Sequence, residues 1–133
     1  MNIRVLTLAA CVAAGPAFAG CSQSDIQGSW NAYSVGAQEG VSYWIKCSIT
    51  VESDGKIAES SSACTDMNDN RSKLAVAIKL KNASLCTYGG SVTLVADDEV
   101  DTISEVTLAG DHNIAFGVGI SPSDGFSFNL VRN

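Results

Sequence analysis

Hydrophobic and polar residues alternate with period two along most of the chain beyond residue 20. The clearest stretch is "VSYWIKCSITVE", where Val41, Tyr43, Ile45, Cys47, Ile49 and Val51 take the odd positions and Ser42, Lys46, Ser48, Thr50 and Glu52 the even ones. That period predicts a strand with one buried face. Asp54-Gly55 in "SDGK" predicts a hairpin turn, with Ile57 starting a return strand toward Cys64. In "SKLAVAIKLKNASL" the Ala, Leu and Lys content would suit a helix, but the alternation of Leu74, Val76, Ile78 and Leu80 favours a second one-faced strand. "SVTLVA" and "TISEVTL" follow, then Ile114, Phe116, Val118 and Ile120 on one parity. After the turn "SPSDG", Phe126, Phe128 and Leu130 end the chain on a final strand.

With a first strand over 26–35, the pattern predicts seven or eight strands at the spacing of an antiparallel all-β domain. No amphipathic helix of any length competes with this reading. The expected fold is an up-and-down barrel, with a β-sandwich as the alternative.

Gly28-Ser29-Trp30 and Arg132 bear on that choice. Gly-x-Trp near the start of a first strand resembles the motif of the calycins, the superfamily of lipocalins, fatty-acid-binding proteins, avidins and bacterial metalloprotease inhibitors. The resemblance covers only the two ends of the chain. It implies a barrel closed at one end by the tryptophan, with a basic side chain of the last strand lying over it. Arg132 is that residue here. Parity agrees, since Ile26 and Trp30 share one face and Arg132 is in phase with Phe126, Phe128 and Leu130.

Composition adds a compartment. "MNIR", the apolar "VLTLAACVAA", Gly15-Pro16 and the small-x-small "AFA" read as a signal peptide over 1–19, leaving a single domain over 20–133. The apolar run is too short to span a bilayer. Loss of Arg4 takes the formal net charge from −6 to −7, a surface that repels nucleic acid and anionic lipid. Cys11 leaves with the signal peptide, so Cys21, Cys47, Cys64 and Cys86 remain. Four cysteines in an oxidising compartment read as two disulfides among three connectivities. The preferred pairing is Cys47 with Cys64 and Cys21 with Cys86. On the assumed turn at Asp54-Gly55, Cys47 lies opposite Ser62 and diagonal to Cys64, so a bulge or longer turn is needed to join them. Phe18-Ala19-Gly20-Cys21 also resembles a bacterial lipobox, though with Phe18 where that motif carries Leu. Lipidation at Cys21 would leave an odd thiol. A periplasmic or secreted chain is therefore expected, with an outer-membrane lipoprotein anchored through Cys21 as the alternative.

Candidate chemistry is sparse. His112 is the only histidine and lies in the turn "AGDHN"; no nucleophile motif marks a serine or cysteine, so no enzyme is expected. One histidine and four cysteines without C-x-x-C spacing do not make a zinc ligand set. "DMNDN" at 66–70 and "DDEVD" at 97–101 are acidic, but neither fits the calcium loop of an EF-hand, and both read as solvated loops. No cofactor or metal is expected.

Binding remains. The expected inward set is Tyr43, Ile45, Val51, Val76, Ile78, Phe116, Val118, Phe126, Phe128 and Leu130, all uncharged. A barrel lined in this way either fills itself or holds one small apolar ligand. So short a chain has few residues for walling a cavity, which favours a filled core. Trp44, a large aromatic on the outward face, is either a contact for a partner or packs over outward Gly117 and Gly119. The residues expected to touch a small apolar ligand or an exported protein partner are Trp44, Tyr43, Phe116 and Phe128. A periplasmic protease inhibitor and a structural or surface lipoprotein are the alternatives.

Overall fold

A strand with one apolar face must lay that face against others like it, and here they do so in one continuous sheet. The computed structural model describes residues 20–38, 40–95, 100–122 and 124–133. The signal peptide read at 1–19 and most of the acidic run at 97–101 lie outside them. In chain order the strands are β1 (Gly28–Gln38), β2 (Val41–Val51), β3 (Lys56–Ile57), β4 (Ser62–Asp66), β5 (Arg71–Ser72), β6 (Leu74–Asn82), β7 (Thr87–Leu94), β8 (Val100–Leu108), β9 (Ile114–Ile120) and β10 (Gly125–Arg132). Eight of these have five residues or more, which matches the expected number.

All pairings are antiparallel, in the order β3-β6-β7-β8-β9-β10-β1-β2-β4-β5, and the sheet curls into a half-barrel. The first strand pairs with the last, Trp30 opposite Arg132. Among the described residues no ladder joins β4 to β6, and a side chain bridges that seam instead. The buried Ser62 hydroxyl accepts from the Leu74 amide at 2.9 Å, and Lys73 Nζ donates to the Ser62 carbonyl at 2.6 Å. Ile49, Val51, Ile57, Leu74, Ile78, Ile103, Val106 and Leu108 form the interior.

Three local expectations are corrected. β1 begins at Gly28, not 26, because 23–26 turns into a short 3-10 helix held by Asp25, whose carboxylate accepts from the Ser22 amide at 2.6 Å. Ile57 does not return along β2; it pairs with Val76 of β6. The cause is Gly55. At φ +82 it leans onto β6, its carbonyl accepting from the Ile78 amide at 2.9 Å. The chain comes back through a 3-10 turn at Glu59–Ser61, so Cys64, not Ser62, stands opposite Cys47, and Ser62 faces Ile49.

The third correction concerns β9. Phe116 and Val118 were expected inside with the parity of Ile114 and Ile120, yet all four point outward, and Ala115, Gly117 and Gly119 face the interior. The rings of Phe128 and Phe126 fill that layer. A Cβ on Gly117 would sit 2.2 Å from Phe128 Cζ, and one on Gly119 would sit 2.2 Å from Phe126 Cζ. The segment 74–82 is a strand, as its alternation predicts.

Gly55→Ala tests the turn. A Cβ there would lie 1.8 Å from the Ile78 carbonyl oxygen, whereas Gly40, at φ +81, has nothing within 4 Å. Urea unfolding is expected to show a loss of about 2 kcal/mol or more for Gly55→Ala and about 1 kcal/mol for Gly40→Ala. Equal losses would contradict the packing of this turn onto β6.

Candidate functional site

The two ends of the half-barrel differ in kind. At one end Trp30 is fully buried, and its indole N–H donates to the Ile26 carbonyl at 2.9 Å. The Arg132 guanidinium lies over the ring, 4.2 Å from its centroid, a cation–π contact. Its three nitrogens donate to backbone carbonyls: Nε to His112 at 2.9 Å, Nη1 to Gln27 at 2.5 Å and Nη2 to Asp25 at 2.8 Å. Gly28 is needed for this. Its φ is +133, and a Cβ there would lie 2.5 Å from Arg132 Nη1.

The N-terminal segment forms the lid of this end. Cys21 is bonded to Cys86 across the β6–β7 turn, with Cα atoms 5.1 Å apart. Gln23 caps β6 through both ends of its amide, donating to the Ile78 carbonyl at 3.0 Å and accepting from the Leu80 amide at 2.7 Å. The hydroxyl of buried Tyr88 donates to the Ser22 carbonyl at 2.8 Å. His112, in the turn after β8, packs half-buried here, Nε2 3.6 Å from Cys21 Sγ and Nδ1 3.7 Å from an Asp25 oxygen. Cys21, Cys86 and His112 could present three ligand atoms within 4.8 Å, but both sulfurs are in the disulfide and neither is a thiolate. Hydrogen bonds from Ser22 hold the Asp25 carboxyl below the usual range, with His112 and Arg132 adding to them against a desolvation that acts the other way.

The opposite end is open and leads into a cavity of about 570 Å³. This corrects the expectation of a filled core. Small inward residues make the room, above all Ala32 and Ser34 on β1, where large ones would have closed it. Ile49, Ile57, Leu74, Val76, Ile78 and Leu130 line the depth of the cavity. Phe126 and Phe128, with ring centroids 6.1 Å apart, form one wall. Tyr43, Trp44, Met67, Arg71, Asp101, Ser121 and Asp124 stand around it as well, so it combines apolar surface with polar groups of both signs. The other disulfide, Cys47–Cys64, joins β2 to β4, and Cys47 contributes to the wall. At 66–70 the Asp66 carboxylate accepts from the Asn70 side chain and the Asn68 and Asn70 amides at 2.8–2.9 Å, which orders the loop and lowers its pKa.

Of the contact residues expected from the sequence, Tyr43 and Phe128 line the cavity, Trp44 stands at its border with the outward parity of β2, and Phe116 lies outside it. Trp44 does not cover Gly117 and Gly119, because β2 neighbours β1 and β4 while those glycines face inward on β9. Trp30 and Arg132 meet as the motif implies, and the cysteines pair in the preferred way. Phe126, expected on the inward face but not among the contact residues, stands in the wall beside Phe128. The signal was present: glycines alternate through "AFGVG" opposite Phe126 and Phe128, and a glycine across an antiparallel ladder gives an aromatic ring its space.

Fold and site together define a disulfide-bonded β half-barrel with one sealed end and one open, largely apolar cup. Comparison of the chain with protein-family models, curated proteins and solved structures finds no match.

Tyr43 offers a pH test of the cavity. Burial, reinforced by the carboxylates of Asp101 and Asp124, raises its phenol above the ordinary value near 10. Because the folded-state value is the higher one, the stability carried by neutral Tyr43 is intact below the ordinary value near pH 10 and is lost as pH rises from there through the higher folded-state value. In an alkaline titration followed by phenolate absorbance, Asp101→Asn with Asp124→Asn is expected to move a one-tyrosine phase to lower pH. An unchanged curve would show that the two carboxylates do not act on this ring.

Proposed function

We propose that this protein is an exported, non-catalytic binding protein that holds one small, mainly apolar ligand in the open cup. The observation that carries the reading is the cavity of about 570 Å³ with its apolar depth. Its size falls within the roughly 300–1,000 Å³ of small-molecule sites. Polar groups around the cavity suit a ligand with an apolar body and a polar end. The two disulfides fit an oxidising compartment, the periplasm or the exterior. The lone histidine belongs to the sealed end, so it supports no catalytic role in the cup.

Membership of the calycin superfamily is part of this proposal, supported by the stacking of Arg132 on Trp30 and the pairing of first strand with last. Protease inhibition through the N-terminal "GCSQS" fits less well. That stretch is tied down by the Cys21–Cys86 bond, by the hydrogen bonds of Gln23 to Ile78 and Leu80 and by Tyr88, and an inhibitory segment must be free to enter an active site. The Cys21–Cys86 bond also counts against a lipid on Cys21.

Two measurements test the proposal. Native mass spectrometry of protein purified from its own source is expected to show a retained small-molecule mass. In a titration with an apolar fluorescent probe, Ile45→Trp, which adds bulk at a half-buried cavity position, is expected to weaken binding about tenfold or more, against no change for Phe116→Ser outside the cup. Absence of both a retained ligand and saturable probe binding would remove the reading.

A further inference from the structure

We propose that the outer face of β9, β10, β1 and β2 is the interface of a homodimer whose two-fold axis runs along β10. The strand registers set out two rows across this face. One reads Trp44, Val35, Ser127, Val118 and Glu105 from β2 to β8; the other reads Lys46, Tyr33, Asn129, Phe116 and Thr107. Phe116 is 55% exposed, Val118 51%, Val35 57% and Trp44 45%, far above what a core aromatic or valine shows. Ile114, Ile120 and Val131 extend the same surface.

Four strands about 4.8 Å apart and seven residues long give a plane of roughly 20 Å by 20 Å, or about 400 Å² before side-chain relief is counted. That area includes the polar Ser127, Asn129 and Lys46, and its apolar part lies on the flanks of β10. Two copies would bury about twice that area or somewhat more, at the low end of specific interfaces, so the dimer is a weak one.

Shape and charge favour a second copy as the occupant. The sheet is curled, so its outer face is convex and two such faces touch first along their crest. The crest strand β10 carries the polar Ser127 and Asn129, while the flanks carry the larger Tyr33, Val35, Phe116 and Val118. A two-fold along β10 brings β1 of one copy over β9 of the other, Tyr33 against Phe116 and Val35 against Val118. It also brings Lys46, which sits 5.7 Å over the Tyr33 ring, toward Glu105 and Thr107 of the second copy. A two-fold across the strands would instead bring like charges together, Lys46 near Lys46 and Glu105 near Glu105. Charge therefore selects the first axis. A lipid surface fits less well, since the chain is net negative and Glu105 stands at the end of a row.

Sedimentation equilibrium of the exported chain tests this directly. The expected result is a mass that rises from one chain toward two with concentration, and loss of the dimer in Phe116→Asp. Lys46→Glu and Glu105→Lys are each expected to raise the dissociation constant about tenfold, and the double swap to bring it back close to the original value. All these side chains are exposed, and an unchanged near-ultraviolet circular dichroism spectrum verifies the fold of each variant. A single-chain mass at every concentration would overturn the proposal, as would a dimer indifferent to Phe116→Asp. Single swaps without rescue would overturn the axis, and binding of a monomer to anionic or neutral vesicles through Phe116 would give the face to a membrane.

Discussion

The contact on which the rest of the structure depends is the Arg132 guanidinium lying on Trp30. It joins three parts of the chain far apart in sequence: the N-terminal segment through the carbonyls of Asp25 and Gln27, the first strand through the indole, and the β8–β9 turn through His112. A planar cation with five donors can satisfy three buried-side carbonyls and still present a face to an aromatic ring, which a lysine ammonium cannot do in the same geometry. Gly28 follows from that arrangement, because any side chain there would occupy the place of Nη1. The N-terminal lid follows as well. Once Arg132 holds 25–27 against the end of the half-barrel, Cys21 is brought to Cys86 and Gln23 to the open amide and carbonyl of β6.

Sealing one end has a consequence for the other. The large fully buried side chains Trp30, Tyr88 and Ile26 gather at the lid, and the depth of the cup is left to aliphatic residues such as Ile49, Leu74 and Ile78. Two phenylalanines of β10 enter the interior only because β9 offers Gly117 and Gly119 beneath them, and Ala32 and Ser34 leave the space beside them unfilled. The cup is thus walled by aromatic rings and left unfilled beside them by the small residues of β1. The same glycine alternation sends Phe116 and Val118 outward, so one choice of residues on β9 shapes both the cup and the apolar outer face.

Much of this was legible in the sequence because it depends on alternation. The strand at 41–51, the strand nature of 74–82 and the meeting of Trp30 with Arg132 all follow from parity. What failed was any reading that needed to know which of two apolar parities faces inward. In "IAFGVGI" both parities are apolar, and the larger residues were assigned to the core; only the register with Phe126 and Phe128 reverses that choice. The departure of the chain at Gly55 was hidden for a similar reason, since a turn centred on Asp-Gly does not say whether the return strand pairs with its own hairpin partner or with β6. Hollowness was misjudged because residue count limits the size of a wall but says nothing about where the bulky side chains lie within it.

The domain is sealed around Trp30 and open beside Trp44, and because these are its only tryptophans, acrylamide quenching of fluorescence in Trp30→Phe and Trp44→Phe measures each end separately. The structure predicts a blue-shifted, weakly quenched Trp30 and a readily quenched Trp44. Equal quenching of the two, or a Trp30 open to acrylamide in the folded protein, would contradict it.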